Sequence, residues 1–416
     1  MSARDYGARG DGVADDTAAL NRLFELASKN HSMVAFVDAG YYKVTDTVYV
    51  PGNVNIVGEG LASVILGSGK KFSDIKKPHP VLQIGKPGES GRVELSDLIV
   101  STQGATAGAI LIEYNLATPS GKGTSDRDLP PSGLWDVHIR LGGFAGSELQ
   151  VPQCIKNPSE PGVVKLACIA AYMSMHITKT VSNVYLENDW IWVADHDLED
   201  KEYTQIDIYA GRGLLIEGSR VWLVASSSEH HTLYQYQLVN AQDVWMGQIQ
   251  TETPYYQPGP TAPAPFVDTN KDIWDPTFNK MDCDAINKNA TEEAKAAPCE
   301  MAWGLRVLGS QNVVVYGAGL YSFFKNYNDE CAAQSKGESC QARVFWVDSK
   351  APSIAAVAGS VRGTGLHGST IEVYNLNTVG VVSMLTREGT GDLASWDQNR
   401  ANFTSILALF QIDDKR

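Results

Sequence analysis

Two glutamates in this sequence occupy equivalent positions after similar apolar runs. Glu229 lies eight residues after Val221, and Glu252 lies eight residues after Val244. Neighbouring carboxyl groups suit general acid–base chemistry, because the negative charge of one raises the pKa of the other and keeps it protonated. Glycoside hydrolysis needs such a protonated acid, together with a second group that activates water or attacks the sugar. The alternative is that both glutamates are solvated surface residues at the edge of a coil and have no catalytic role.

Aromatic and polar residues accompany both glutamates along the chain. The face of an aromatic ring stacks on the C–H groups of a pyranose, so these neighbours favour a sugar site over a solvated surface. We predict the following substrate-binding residues: Trp190, Trp192, Asp195, Asp197, His230, Tyr234, Tyr255 and Tyr256.

Four segments of the chain share one internal spacing. A repeat of short β runs near 23 residues is typical of a solenoid built from stacked coils. Equivalent residues of adjacent coils then lie about 4.8 Å apart, so the spacing predicts that the two glutamates are side by side. The segments begin at Val184, Val221, Val244 and Val313, and their ninth residues are Trp192, Glu229, Glu252 and Tyr321.

The elements that must position these residues are short strands behind an N-terminal cap. Residues 5–30 predict a turn-rich loop and a helix, with Asp15 or Asp16 as the N-cap. The apolar face of that helix would cover the first coil. Strands of four to six residues without intervening helices exclude a doubly wound sheet, and few hairpin turns disfavour a sandwich. We predict an all-β fold, a right-handed parallel β-helix that forms one domain over residues 1–416 with long loops.

Charge and hydropathy restrict the partners. The 416 residues carry a net charge of −14, which disfavours nucleic acids and anionic membranes. A neutral polymer such as a glucan fits this charge better than polyanionic pectate. The sequence contains no run of 18 apolar residues, so no membrane span is predicted. The first residues do not resemble a signal peptide.

Six cysteines fall in long polar insertions, at about 146–170, 255–302 and 324–342. They form three groups of sequence neighbours, and disulfides are favoured over free thiols, although the sequence leaves their pairing open. Oxidised cysteines predict an extracellular protein. The disulfide candidates are Cys154, Cys168, Cys283, Cys299, Cys331 and Cys340.

No metal or other cofactor is predicted. Asp195, His196 and Asp197 carry ligand-type side chains, but no second segment completes a site with them. His230 and His231 are adjacent on a predicted strand, so their side chains point to opposite faces and do not share one ion.

Several motifs resemble known families. Residues 5–19 resemble the opening of pectin-lyase-like β-helices, which indicates the fold alone. A more specific set resembles the exo-β-1,3-glucanases of glycoside hydrolase family 55, over nearly the whole chain. These motifs are residues 134–143, 187–197, 211–217, 228–236 and 250–257.

The resemblance implies a function. Enzymes of that family release glucose from β-1,3-glucan by exo-acting, inverting hydrolysis, in a cleft between two β-helices. Glu229 matches the general acid of the family and Glu252 its second carboxylate. A directly adjacent carboxylate is closer than the ~6.5–9.5 Å usual for an inverting pair, so pKa tuning or substrate binding suits Glu252 better than a base.

Two alternatives remain open at the level of sequence. The chain resembles only the second β-helix of the family, so we expect the first to be absent, and the chain is then a carbohydrate-binding or inactive half. A pectin-type lyase or polygalacturonase is the other alternative. The acidic charge and the missing paired-aspartate motifs disfavour it.

Overall fold

Two long sheets of short strands form the body of the protein. The computed structural model describes residues 1–30, 32–119, 130–278, 283, 290–333, 338–348 and 370–413. The chain alternates between the two sheets, and successive strands of each sheet come from successive coils. Almost all pairings are parallel, so the predicted stack of parallel coils is confirmed at this level.

Strands are numbered in chain order. The first sheet contains β1 (Val34–Val37), β2 (Gly40–Val44), β4 (Val54–Gly58), β5 (Ser63–Ser68), β7 (Val93–Gln103), β9 (Ser132–Leu141), β11 (Ser182–Glu187), β12 (Trp190–Val193), β14 (Ser219–Val224), β15 (Ser227–Glu229), β17 (Gln242–Glu252), β19 (Gln311–Tyr321), β22 (Thr370–Val379), β25 (Arg400–Ala401) and β26 (Thr404–Asp413). The second contains β3 (Val48–Val50), β6 (His79–Ile84), β8 (Ala109–Tyr114), β10 (Ile169–Ile177), β13 (Tyr209–Ile216), β16 (Tyr234–Val239), β18 (Trp303–Leu308), β20 (Gln341–Arg343), β21 (Phe345–Val347), β23 (Val381–Arg387) and β24 (Gly391–Ser395).

The register of the first sheet follows the spacing read from the sequence. Val221 pairs with Val184 on one side and with Val244 on the other, and Val244 pairs in turn with Val313. These valines are buried, and the residues that follow them alternate between core and surface. The predicted alignment of the four coils is therefore confirmed.

A bend divides each of these four coils at the same position. The residue four after the leading valine has a positive φ in every case, at Asn188 (57°), Ala225 (51°), Gln248 (53°) and Gly317 (81°). This left-handed conformation favours glycine or asparagine, yet alanine and glutamine adopt it in the two middle coils. The bend separates the apolar start of each coil from the segment that carries Glu229 or its equivalent.

The N-terminal helix caps the stack as predicted. Helix α1 (Thr17–Ser28) buries Leu20, Leu23, Phe24 and Ala27 against the first strands. The predicted capping differs in one detail. Asp16 is the N-cap residue, but its carboxylate accepts from the backbone N–H groups of the preceding loop, at 2.7 and 2.9 Å, and makes no capping hydrogen bond.

The C-terminal strands depart from the parallel pattern. β26 pairs antiparallel with β22, and β24 pairs antiparallel with β23. An antiparallel neighbour occupies the backbone groups of β22, which would otherwise form an open edge.

The insertions contain short helices and the disulfides. Helices α2 (Val151–Cys154) and α3 (Glu292–Ala296) lie within them. The structure joins Cys154 to Cys168, Cys283 to Cys299 and Cys331 to Cys340, which resolves the pairing that the sequence leaves open. Residues 279–282, 284–289 and 334–337 of these insertions lie outside the described part. No described helix is long and apolar enough to cross a membrane.

Candidate active site

The two glutamates are direct neighbours across the first sheet. Glu229 on β15 pairs with Glu252 on β17, as the spacing predicts. Trp192 lies on the far side of Glu229, and Tyr321 lies on the far side of Glu252. The result is a row of four paired residues, Trp192–Glu229–Glu252–Tyr321, which we call the catalytic row because it carries the predicted general acid.

Glu229 is in an environment that favours its protonated form. Only 7% of the residue is exposed. Burial raises the pKa of its carboxyl above the usual value, nearby His230 opposes this shift, and the charge of Glu252 adds to it. The Ser227 hydroxyl donates to Glu229 Oε1 at 2.5 Å and fixes the orientation of the carboxyl group.

Glu252 is more accessible and has a positive neighbour. Its side chain is 26% exposed, and Oε2 lies 3.5 Å from His230 Nε2. Gln250 Nε2 donates to the other oxygen, Oε1, at 3.1 Å. Glu252 therefore lies beside Glu229 with its carboxyl group held between a histidine and an amide.

His230 is a buried cation. Its Nδ1 lies 2.9 Å from the Val193 carbonyl oxygen, which can only accept, so Nδ1 carries a proton. Burial alone would lower the pKa of His230, but contact with Glu252 and the charges of Asp195, Glu252 and Glu229 raise it to about 9. At neutral pH an imidazolium therefore lies beneath the two glutamates.

His231 has the opposite character, although the two histidines do not lie on a strand as predicted, because β15 ends at Glu229 and His230 has a φ of 66°. Its Nδ1 is 3.1 Å from Gln235 Oε1, and its Nε2 is 2.7 Å from the Ser174 hydroxyl. Gln235 Nε2 donates to the His231 carbonyl, so its Oε1 is the acceptor for Nδ1–H. Burial lowers the pKa of His231 to about 3, so this side chain is neutral.

The neutral state of His231 predicts a pH dependence of stability. Below pH 6.5 the unfolded chain binds a proton at this residue, while the folded protein does so only near pH 3. Stability is therefore lost as the pH falls through this window, by about 3 kcal/mol at pH 4. Urea unfolding at pH 7 and pH 4 measures this loss. His231→Gln removes the titration, and an equal loss in that variant would contradict the prediction.

Two tryptophans lie near Glu229, and the predicted pairing of Trp192 with Glu229 is confirmed. Trp190 is 38% exposed, and its ring stacks on that of Trp192, with centroids 4.9 Å apart and planes 24° apart. Trp192 pairs with Glu229 but is only 3% exposed, so its predicted sugar contact does not fit its placement. Trp190 thus presents an aromatic surface next to the carboxyl group.

The structure separates the two predicted aspartates. Asp195 Oδ1 contacts His196 Nδ1 at 2.7 Å, and its side chain is a quarter exposed. Asp197 is buried, and its oxygens accept from Gln150 Nε2 at 3.0 Å and Val151 N at 3.1 Å. Asp197 thus fastens the start of α2 and lies in the framework of the loop. Across the described ranges, no three His, Cys, Asp or Glu side chains are grouped to hold a metal ion.

The predicted sugar contacts of three tyrosines do not fit their placement. Tyr234, Tyr255 and Tyr256 are at most 1% exposed, so none of them presents a ring face to solvent. The ring of Tyr255 meets those of Tyr256 and His230 edge to face, with centroids 5.2 and 5.7 Å apart. Tyr255 supports His230 from behind, and all three tyrosines belong to the core.

Two polar residues of the site were missed by sequence reasoning. Ser227 and Gln250 each lie two residues before a glutamate of the catalytic row and donate to it. Residues two apart on a strand face the same side, so this alternation was the available signal. Chemically, the site offers a buried carboxyl group with a raised pKa, a second carboxyl group beside it and an indole surface.

This chain is similar to a pectate lyase-like family model and to glucan glucosidases. Residues 1–77 match the family model "Rhamnogalacturonase A/epimerase, pectate lyase-like". A glucan 1,3-β-glucosidase of Cochliobolus carbonum is 44% identical over 98% of this chain. A probable glucan endo-1,3-β-glucosidase of Arthroderma benhamiae is 43% identical over 99% of this chain. These similarities confirm the resemblance to β-1,3-glucanases inferred from the motifs.

A solved structure shares the fold. The structure of sacteLam55A from Streptomyces sp. SirexAA-E covers 99% of this chain with a TM-score of 0.50 and 16% identity. The chain spans 45% and 41% of the two relatives and 53% of the solved protein. It therefore corresponds to about half the length of the proteins it matches.

Proposed function

We propose that the protein hydrolyses β-1,3-glucan with Glu229 as the proton donor. The observation that carries the proposal is the buried Glu229, paired with Glu252 and flanked by stacked indoles. The names of the two relatives that match nearly the whole chain support the substrate class. A protonated Glu229 gives its proton to the glycosidic oxygen as the bond breaks.

Glu252 tunes the donor in this mechanism. It lies on the adjacent strand, and neighbouring strands are about 4.8 Å apart, which is less than the ~6.5–9.5 Å that an inverting pair needs for its water. Its negative charge contributes to the raised pKa of Glu229. A base role for Glu252 is the weaker assignment, and its exposed part is free to bind a sugar hydroxyl.

The finer form of the proposal is inverting release of glucose from the non-reducing end, by a right-handed parallel β-helix that forms one domain. The test is incubation of the purified chain with laminarin, a soluble β-1,3-glucan. Glucose as the first product, initially in the α-anomeric form by NMR, supports exo-acting inversion. Larger oligosaccharides as first products contradict the exo mode, and β-glucose contradicts inversion. Release from polygalacturonate instead of laminarin supports the pectin-type alternative.

The imidazolium of His230 makes a pH prediction for this mechanism. Its positive charge lowers the pKa of Glu229. His230→Gln removes that charge, so the pKa of Glu229 rises and Glu229 stays protonated to higher pH. The alkaline limb of the kcat/KM profile should move upward, by up to about one pH unit. An unchanged or downward-shifted limb in a folded variant contradicts this placement of the charge.

One observation favours a second candidate, a binding half that needs more chain for turnover. The chain spans less than half of the two relatives. Laminarin binding without sugar release, followed by activity on addition of the remaining part of such a relative, would support this candidate.

We also propose that the protein acts outside the cell. The three disulfides support this placement, because such bonds persist in oxidising compartments. Detection of the native protein in culture medium, with the disulfides intact by mass spectrometry, tests the placement.

A further inference from the structure

Six aromatic residues lie on the outer side of the first sheet, in the coil segments that precede the bend. Their neighbours in the strands, such as Val184 and Leu186, are buried, so the aromatic side chains face outward. Tyr316 is 59% exposed and the others are half-buried. We call this group the aromatic strip: Trp135, Tyr185, Trp222, Trp245, Tyr316 and Tyr374.

The register places the strip across consecutive coils. Trp222 pairs with Tyr185 on one side and with Trp245 on the other. Tyr316 pairs with Tyr374 two positions further along the strands. The strip crosses six neighbouring strands from β9 to β22. At about 4.8 Å per spacing it is roughly 24 Å long, enough for several sugar units.

Glycines allow two of the indoles to lie flat on the sheet. A Cβ atom on Gly133 would be 2.0 Å from the ring of Trp135, and one on Gly247 would be 2.0 Å from the ring of Trp245. Each ring therefore covers the backbone of a glycine two residues away, with its other face outward. Tyr185 continues this surface, with its ring centroid 6.1 Å from that of Trp135.

Carboxylates lie between the rings. The Tyr185 hydroxyl donates to Glu187 and the Tyr374 hydroxyl donates to Glu372, both at 2.8 Å. Flat aromatic faces attract C–H groups, and carboxylates accept from hydroxyl groups. A polysaccharide presents both kinds of group, whereas the carboxylates repel a nucleic acid or an anionic membrane.

We propose that the aromatic strip is an accessory binding site for a β-1,3-glucan chain, distinct from the catalytic row. The identity of the glucan rests on the proposed function. Strands β17 and β19 carry both surfaces, with Trp245 and Glu252 on one and Tyr316 and Tyr321 on the other. A polymer held on the strip therefore stays close to Glu229, while a short oligosaccharide reaches Glu229 without it.

The test compares a Trp222→Ala/Trp245→Ala variant with a Trp222→Tyr/Trp245→Tyr variant that keeps both rings. Pelleting with insoluble β-1,3-glucan should weaken roughly tenfold or more in the alanine variant and only slightly in the tyrosine variant. Hydrolysis of laminaritriose should be unchanged in both. Gly247→Ala should also weaken pelleting, because the added methyl group displaces the Trp245 ring. Circular dichroism establishes that each variant is folded.

Two results would overturn the proposal. They are pelleting of the folded alanine variant equal to that of the wild type, and no pelleting of the wild type. In the first case, a loss of self-association in the alanine variant would make the strip a contact between two copies of the chain. Failure of the proposed function looks different: the wild type then releases no sugar, while strip-dependent pelleting persists.

Discussion

Replacement of Glu229 by glutamine should lower the rate of glucose release from laminarin by roughly 10²–10⁴-fold, the usual contribution of a general acid. Glutamine has nearly the same shape and still accepts from Ser227, but it has no acidic proton for the leaving oxygen. The fold should be retained, because Glu229 donates no described hydrogen bond to the framework. The measurement is the initial rate of glucose release at the pH optimum.

An activated substrate separates proton donation from binding. Dinitrophenolate leaves without a proton, so Glu229→Gln should hydrolyse dinitrophenyl β-glucoside within about tenfold of the wild-type rate. Equal losses on laminarin and on the activated glucoside would assign Glu229 to binding instead. Glu217→Gln is a matched control, since Glu217 is half-buried, contacts His176 at 2.7 Å and lies outside the catalytic row. Its rates should equal those of the wild type.

The pairing of residues within the catalytic row could be predicted from the sequence because it depends on coil length. Once Val221 and Val244 pair, residues eight positions further along must pair as well, provided that both coils bend alike. The shared positive φ at Ala225 and Gln248 meets that condition. Alternation along the strands likewise decides which residues face the core, as the buried Val221 and Leu223 on either side of Trp222 show. These are local rules, so they need only one coil and its neighbour.

Burial of the tyrosines could not be predicted in this way. Tyr255 and Tyr256 follow the last residue of β17 and leave the regular coil, so strand alternation no longer decides their direction. Aromatic residues near a glutamate are compatible with a sugar platform and with a core cluster. Contacts with Tyr209 and Phe324, distant in sequence, place these two tyrosines in the core.

The structural role of Asp197 could not be predicted from local sequence either. Its partners Gln150 and Val151 are 47 and 46 residues away, in an insertion whose path no repeat fixes. Local sequence therefore identifies an aspartate near an aromatic cluster but not the loop that it holds. Ser227 and Gln250 differ from Asp197, because alternation along β15 and β17 is sufficient to place them on the same face as the glutamates.

The buried ion pair between Arg212 and Asp275 should have the largest effect on stability. Both side chains are fully buried, and two guanidinium nitrogens donate to the two carboxylate oxygens, with Nε to Oδ1 at 2.9 Å. The guanidinium also lies 3.8 Å from the ring centroid of Tyr172. Asp275 belongs to the 255–302 insertion, so the pair fastens this loop to β13. Asp275→Asn leaves an uncompensated buried cation and should destabilise the fold by about 3–5 kcal/mol.

A double replacement distinguishes the charge from the packing. Arg212→Met/Asp275→Leu removes both charges and keeps apolar volume, so it should recover most of the loss seen in Asp275→Asn. Urea unfolding of the wild type, Arg212→Met, Asp275→Leu and the double variant gives the coupling energy of the pair. Additive losses from the two single variants would show that the ions act independently and would contradict the prediction. A strongly favourable coupling would show that the loop is held chiefly by mutual compensation of two buried charges, a contact 63 residues apart that the repeat could not reveal.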